Sequence, residues 1–473
     1  MKYFFIILIL LIPQISFCQN NIELKRSDKL TGKTIDNQTV REATGNVYFI
    51  RGNVNVYCNS ALQYIDLNKV ELTGDVKIYQ DTLSLFTQKA IYYGNENKAI
   101  FENGITLKDP NATINADGGT YYFNEAKATF AGNVRIDNPD YRITSTYMIY
   151  LRNTEDSFAR DNVVVKKDSA TIKAENIDFY KRQGKTFAYK NVSIEKDSSI
   201  ITSDTLTDYS FEKKSIAVGN VEINNLRNNA LIFGKYLENY EKTKYSFIRG
   251  KAKLVQIDKD KDTMFVYCDT MESFREIPER YIAKDSVEII RKNFFSKCGY
   301  SVYSKTLDTT LEKMSLYRNP IVWQDNMQLT GDTIYADLKE RKLQTIYSNK
   351  IDELPNSKYS FLILENRDSL FSDRYDQIRG KDIIIHFDSN KVNYVDVKKN
   401  SSSIYFMYED RKANGVNIVD GMNMVISFNN EQKADKVKVE IRPKGKYVPE
   451  VQLNTVTLEL PGFLVRTDLP VRR

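Results

Sequence analysis

The stretch Gly132-Asn133-Val134-Arg135-Ile136 returns along the chain at a strict interval of 29 residues. It reads Gly45-Asn46-Val47, Gly74-Asp75-Val76-Lys77-Ile78, Asn103-Gly104-Ile105-Thr106-Leu107, then the quoted stretch, Asp161-Asn162-Val163-Val164-Val165, Lys190-Asn191-Val192-Ser193-Ile194 and Gly219-Asn220-Val221-Glu222-Ile223. Anchors in register without insertions mean that one small unit is stacked repeatedly. The spacing loosens through Gly250-Lys251-Ala252, Asp285-Ser286-Val287 and Asn319-Pro320-Ile321.

Within each anchor apolar and polar residues alternate, as they do in Ala112-Thr113-Ile114-Asn115-Ala116. A period of two places alternate side chains on one face of a strand. The segments are rich in Val, Ile, Thr, Tyr and Phe, and turn formers such as Asp197-Ser198-Ser199 and Asn138-Pro139-Asp140 bound them. The expected fold is all-β: an elongated stack of roughly 12 repeats of about 29 residues, in the manner of a β-solenoid. Each unit is read as short strands such as Tyr121-Tyr122-Phe123 and Ala128-Thr129-Phe130, after which the Gly-Asn anchor bends the chain into the next strand.

With 473 residues and 41% apolar content, the chain is long enough to bury a continuous core. The net charge of +6 is small for this length, and basic and acidic residues interleave. A nucleic-acid partner, which calls for a concentrated basic face, is therefore not expected. Residues 1–18 have the form of a cleaved secretory signal: Lys2, an apolar run from Tyr3 to Ile12, and Ser16-Phe17-Cys18 ahead of Gln19. Phe17 stands where a lipidation box at Cys18 needs a small residue. The expected location is the periplasm, with association to an outer membrane open. Residues 19–355 are read as the repeat array and 356–473 as its degenerate continuation.

Chemistry-bearing residues are sparse, and no catalytic residue, cofactor or metal ligand set is expected. The single histidine, His386, lies in an apolar strand-like run, where it reads as structural or solvated. Asp81, Asp168 and Asp197 recur in register, with Asp109 and Asp140 nearly so. Such a ladder could bind calcium or form an acid/base pair, yet each position has the composition of a turn. Cys58, Cys268 and Cys298 read as small interior fillers. The 30-residue spacing of the last two leaves open a disulfide between adjacent rungs, about 4.8 Å apart.

The recurrent inward set is the candidate binding site: Val47, Val76, Ile78, Ile105, Leu107, Val134, Ile136, Val163, Val165, Val192, Ile194, Val221 and Ile223. Stacked one rung apart, these residues form apolar rows. They either fill a closed core or line an open groove for a long acyl chain.

The anchors leading into Ile143-Thr144-Ser145 and Ile200-Ile201-Thr202-Ser203-Asp204 resemble the OstA-like (LptA-like) repeat of lipopolysaccharide-transport proteins. The resemblance runs from Gly45 to Tyr335 and continues more weakly through Gly380-Lys381-Asp382-Ile383. It implies a twisted β-jellyroll with an apolar groove, lipopolysaccharide as ligand, and end-to-end strand addition to other bridge components, including an outer-membrane translocon. The chain departs from the family in being much longer than the small bridging member and in showing no strand series for a barrel after Pro461. A secreted adhesive β-solenoid and a carbohydrate-active solenoid enzyme are the other readings.

Overall fold

The computed structural model describes residues 22–473, apart from 168, 259–260, 308–310, 341, 367–368, 389–390, 410–411 and 430. The leader segment 1–18, Cys18 and Asp168 lie outside the described residues. Thirty-three strands and three short 3-10 helices are described. The all-β expectation holds. Every described ladder is antiparallel, and over most of the chain each strand reverses and pairs with the next, so the stack is built of hairpins, as in a jellyroll, and not of parallel solenoid coils.

The chain divides into two compact units. The first holds residues up to Ser169 together with Ala174–Arg182, and the second Ala170–Lys173 together with Gln183–Arg473.

In the first unit a 29-residue period is typically two long strands, for example Lys69–Gln80 and Leu83–Tyr93, joined by tight turns; in one period the second strand is interrupted at Asp117, between Ala112–Ala116 and Gly118–Tyr122. The short strands expected from the sequence are halves of these. Ala128-Thr129-Phe130 and Val134-Arg135-Ile136 both belong to the strand Lys127–Asn138. Between them the register jumps from Ala131↔Tyr147 to Val134↔Ser145, so the anchor is a bulge that creases the strand into two arms. Both anchor residues take positive φ, +74° at Gly132 and +45° at Asn133. A Cβ on Gly132 would lie 2.4 Å from the Asp117 carboxylate, which itself accepts a hydrogen bond from Asn133 at 2.8 Å. Glycine is thus required by contact as well as by dihedral. At the next anchor Asp161-Asn162 makes the same crease without a glycine, with φ of 60° and 54°.

The interior of this unit is filled. Along one arm the cross-strand partners Ile78, Leu85, Leu107, Ile114, Ile136 and Ile143 form a row in which no member exceeds 3% exposure. Along the other, Tyr92, Ala99, Tyr121, Ala128 and Tyr150 alternate large with small. The two arms close on each other. The rings of Tyr141 and Phe179 meet at 5.2 Å, Arg51 donates to Asn97 and stacks over Tyr92, and Arg152 lies 3.5 Å from Asp109. Phe49, Val56, Leu72, Ile78 and Tyr92 surround a cavity of only about 30 Å³.

In the second unit the creased hairpins run from Lys185–Lys196 to Phe294–Lys305. Beyond that, the two arms become separate sheets. Leu311–Tyr317, Thr333–Lys339, Lys342–Asn349 and Asp382–Asp388 continue one. Ile321–Gln324, Met327–Thr330, Ser360–Glu365 and Tyr375–Gly380 continue the other. The strand Lys391–Glu409 pairs with both and reunites them. Its crease, Lys399-Asn400, has φ of 63° at both residues, but Ser401-Ser402-Ser403 follows in place of Val-x-Ile, which is why the anchor pattern is invisible there. Strands end at Pro449, and residues 450–473 form a 3-10 helix followed by an extended segment.

Candidate functional site

The thirteen inward residues fall into two rows. Val47, Val76, Ile105, Val134, Val163, Val192 and Val221 line the crease and are at most 4% exposed. Ile78, Leu107 and Ile136 lie further along one arm and are equally buried, whereas Val165, Ile194 and Ile223 at the corresponding register are half-buried. Because each period supplies two strands, equivalent residues are two strand spacings apart, about 9.6 Å and not one rung of about 4.8 Å.

Facing the crease valines across the ladder stands a set of small residues that the sequence reading missed. Cys58 pairs with Val47, Thr87 with Val76, Ser145 with Val134, Ser203 with Val192 and Cys298 with Val287. The bulge leaves carbonyls without ladder partners, and these side chains supply donors. Thr87, Ser145, Ser203 and Cys268 each donate to the carbonyl two residues on, at 3.0 to 3.2 Å. The cysteines are therefore variants of a Ser/Thr/Ala position. Cys268 and Cys298 lie on strands separated by Arg280–Arg291, about 9.6 Å apart and beyond the roughly 7 Å that a disulfide tolerates. All three described cysteines are free and buried, and burial pushes each thiol up to about 12.

The interior changes character in the second unit. Ile194, Ile201, Ile223, Ile232, Leu254 and Val266 are consecutive cross-strand partners, a continuous aliphatic wall. Every one of them is half-buried. On the opposite arm the row reads Thr186, Asp208, Ser215, Asn239, Ser246 and Ser273. Asp208 stands in the 29-residue register of Tyr92, Tyr121, Tyr150 and Phe179, so the aromatic filler is missing where the aliphatic wall loses its cover. Ser215 donates to Asp208 at 2.7 Å, and Arg275 donates to Asn239 and Ser246, each at 2.9 Å.

A half-buried aliphatic row on one arm and a row of hydroxyl, amide and carboxylate groups on the other are the two walls that an amphipathic groove requires. At its mouth Lys196, the last residue of one arm, forms an exposed ion pair at 3.3 Å with Glu241, just past the end of the other. Such a groove can hold a long apolar chain against the aliphatic wall while polar substituents meet the other.

Of the described members of the carboxylate ladder, Asp81, Asp140 and Asp197 lie in turns and Asp109 ends the strand Lys98–Asp109. Asp81 and Asp197 occupy turns at φ of 51° and 53°, Asp81 accepts from Asn53, Asp140 receives the Asn138 side chain on its N–H, and Asp109 faces Arg152. His386 stacks on its cross-strand neighbour Tyr394 with ring centroids 4.1 Å apart, and burial holds its imidazole below the usual range. Among the described residues no group of three or more His, Cys, Asp or Glu is arranged to hold a metal ion.

No curated protein matches the chain. Residues 19–175 match the family model described as OstA-like protein, so the amino-terminal third of the chain is an OstA-like segment, as its Gly-Asn-Val-x-Ile anchors lead one to expect.

Proposed function

We propose that this protein is a periplasmic carrier of lipopolysaccharide that shields acyl chains in its interior and bridges toward the outer membrane, with other bridge components joined by strand addition. The OstA-like segment supports the ligand class. The observation that carries the reading is the half-buried aliphatic wall from Ile194 to Val266 facing a polar wall. Apolar surface left partly exposed costs about 25 cal/mol per Å², and an acyl chain laid along the wall recovers it. Equivalent sites recurring along the row keep movement between neighbours cheap, so no catalytic group is needed.

The filled interior of the first unit would equally suit a structural or adhesive protein, so the test contrasts the two regions. A photo-crosslinking side chain is placed at Ile223, at Ile232 and, as a buried control, at Ile136, in protein expressed in a lipopolysaccharide-making bacterium. Lipid adducts at the first two positions and none at the third are expected. No adduct at any position would sink the carrier reading.

A further inference from the structure

Past Pro449 the chain turns back over its own sheet. In the arm that contains Ile289, Val322, Leu329 and Leu362, these residues continue the interior row through Val266. The residues next to them in sequence point to the outer face. Ile290, Trp323, Gln328, Ile363, Gln377 and Ile404 lie on that face in register across the strands. An outer face is ordinarily wet, yet none of the six is more than 6% exposed. The cover is the segment 450–473, which crosses the strands as a strap.

Its attachment is unusual because it addresses the backbone of the strap through side chains of the sheet. Gln377 donates to the carbonyl of Leu458 and accepts from the N–H of Leu460, both at 2.8 Å. Gln328 repeats this with the carbonyl of Leu464 at 2.8 Å and the N–H of Arg466 at 2.7 Å. The Tyr267 hydroxyl accepts from the N–H of Arg473 at 2.8 Å and donates to its carbonyl at 3.0 Å, and Trp323 donates to the carbonyl of Arg466 at 3.1 Å. A buried glutamine amide reproduces the donor and acceptor of a neighbouring strand without being one. Alternate apolar residues of the strap face inward. Leu458 and Leu460 pack with Leu453 and Val456 on a cluster that includes Ile404 and Phe406, and Phe463 meets Phe361 at 6.3 Å. Pro461-Gly462, with φ of +94° at the glycine, divides the strap between the two glutamine clamps.

We propose that this outer face is a binding site for an extended peptide, whose resident occupant is the strap of the same chain and whose exchange partner is the strap of a second copy. The clamps grip main-chain groups, and the strap forms no described strand ladder. A strap arriving from another copy would make the same contacts, so the balance between closed and exchanged forms is set by protein concentration against the effective concentration of the tethered strap.

Trp323 is the chain's only tryptophan and lies beneath Arg466, 5.9 Å from its guanidinium. This provides the test with full-length protein. One copy carries Trp323→Phe and a dansyl group on Leu464→Cys, an exposed position; the native cysteines are buried. The other copy is unlabelled and keeps Trp323. Mixing is expected to give tryptophan-sensitised dansyl emission that builds with time and rises with concentration. With Gln328→Ala and Gln377→Ala in both copies the emission is expected to build at least about tenfold faster toward a similar final level, since release of each strap breaks four fewer hydrogen bonds while closed and exchanged forms lose the same contacts. Dansyl on Leu464→Cys with Trp323 retained in the same chain reports that the labelled strap seats normally. Full transfer in that control with none between copies would make the strap a permanent part of the fold. Transfer between copies whose rate is unmoved by the double alanine change would place the association elsewhere, and either result overturns the proposal.

Discussion

Asn133 donates its side-chain amide to Asp117 at 2.8 Å, and the accepting carboxylate occupies the space a Cβ on Gly132 would enter. The same arrangement recurs where Asn220 bonds Asp204 beside Gly219, whose Cβ would fall 2.1 Å from the Asp204 carboxylate. The anchor is thus a three-residue device in which Gly and Asn take positive φ and an Asp from the preceding strand locks the crease. Gly132→Ala is expected to destabilise the first unit by about 1–3 kcal/mol, combining the left-handed backbone penalty with the displaced carboxylate. Lys190→Gly, at φ of 63°, is expected to change stability by less than about 1 kcal/mol. Urea unfolding of both variants measures the difference; equal losses would refute the contact argument.

The crease was legible because Gly and Asn are the residues that tolerate positive φ, and their interval displayed the period directly. The division of the period into two long strands was not legible, since a bulge interrupts alternation just as a turn does. Alternation across Val134 and Ile136 marked them as inward, but whether an inward residue is covered depends on the facing arm. That information sits in Tyr92, Tyr121, Tyr150 and Asp208, a register that the sequence contains and that the Gly-Asn anchors overshadow. The strap was unreadable for a different reason: Gln328 and Gln377 are buried through partners 136 and 81 residues away, and polar residues in a strand ordinarily signal solvent.

If a missing aromatic opens the groove, restoring one should close it. Asp208→Tyr places in the second unit the residue that fills the first, opposite the half-buried Ile201 and Ile223. Bound lipid, measured by mass spectrometry after gentle extraction, is expected to fall at least about tenfold, as a filled core competes directly with the ligand. Stability is expected to hold or rise by about 1 kcal/mol, because apolar area is buried at about 25 cal/mol per Å². A variant that folds and retains its full lipid content would show that the ligand does not lie in this section.

Asp376 gives the fold a pH dependence. Its carboxylate accepts from the N–H of Phe406 at 2.8 Å, but burial dominates and pushes it up to about 7. A carboxyl group whose folded value is raised contributes stability that is complete below its ordinary range near pH 4 and is lost as pH rises through about 7. The second unit is therefore expected to be more stable at pH 5 than at pH 8, by at most about 3 kcal/mol from this group, since about two of the tenfold steps in its raised proton affinity fall in that window and each is worth about 1.4 kcal/mol. Asp376→Asn keeps an acceptor for Phe406 and removes the titration. Melting temperatures of the two proteins across this range should converge at low pH and separate at high pH, with the asparagine variant higher. Parallel curves would mean that the carboxylate is hydrated in the folded state.

The small residue opposite each crease valine also predicts how the thiols behave. With Cys58, Cys268 and Cys298 each pushed up to about 12 by burial, only about one molecule in ten thousand carries a given thiolate at pH 8, and the thiolate is the reactive form. Ellman's reagent should therefore find almost no thiol among these three in the folded protein and all three after unfolding in guanidinium, with identical results with and without prior reductant. Replacement of Cys268 by Ser should be tolerated to within about 1 kcal/mol, because Ser145 and Ser203 already fill the equivalent position and make the same bond to the carbonyl two residues on. Replacement by Val should cost more, since a branched apolar side chain crowds Ala252 across the ladder and leaves the Thr270 carbonyl without its donor. A disulfide between Cys268 and Cys298, detected as a pair of thiols that appears only after reduction, would contradict the two-strand separation on which the whole period rests.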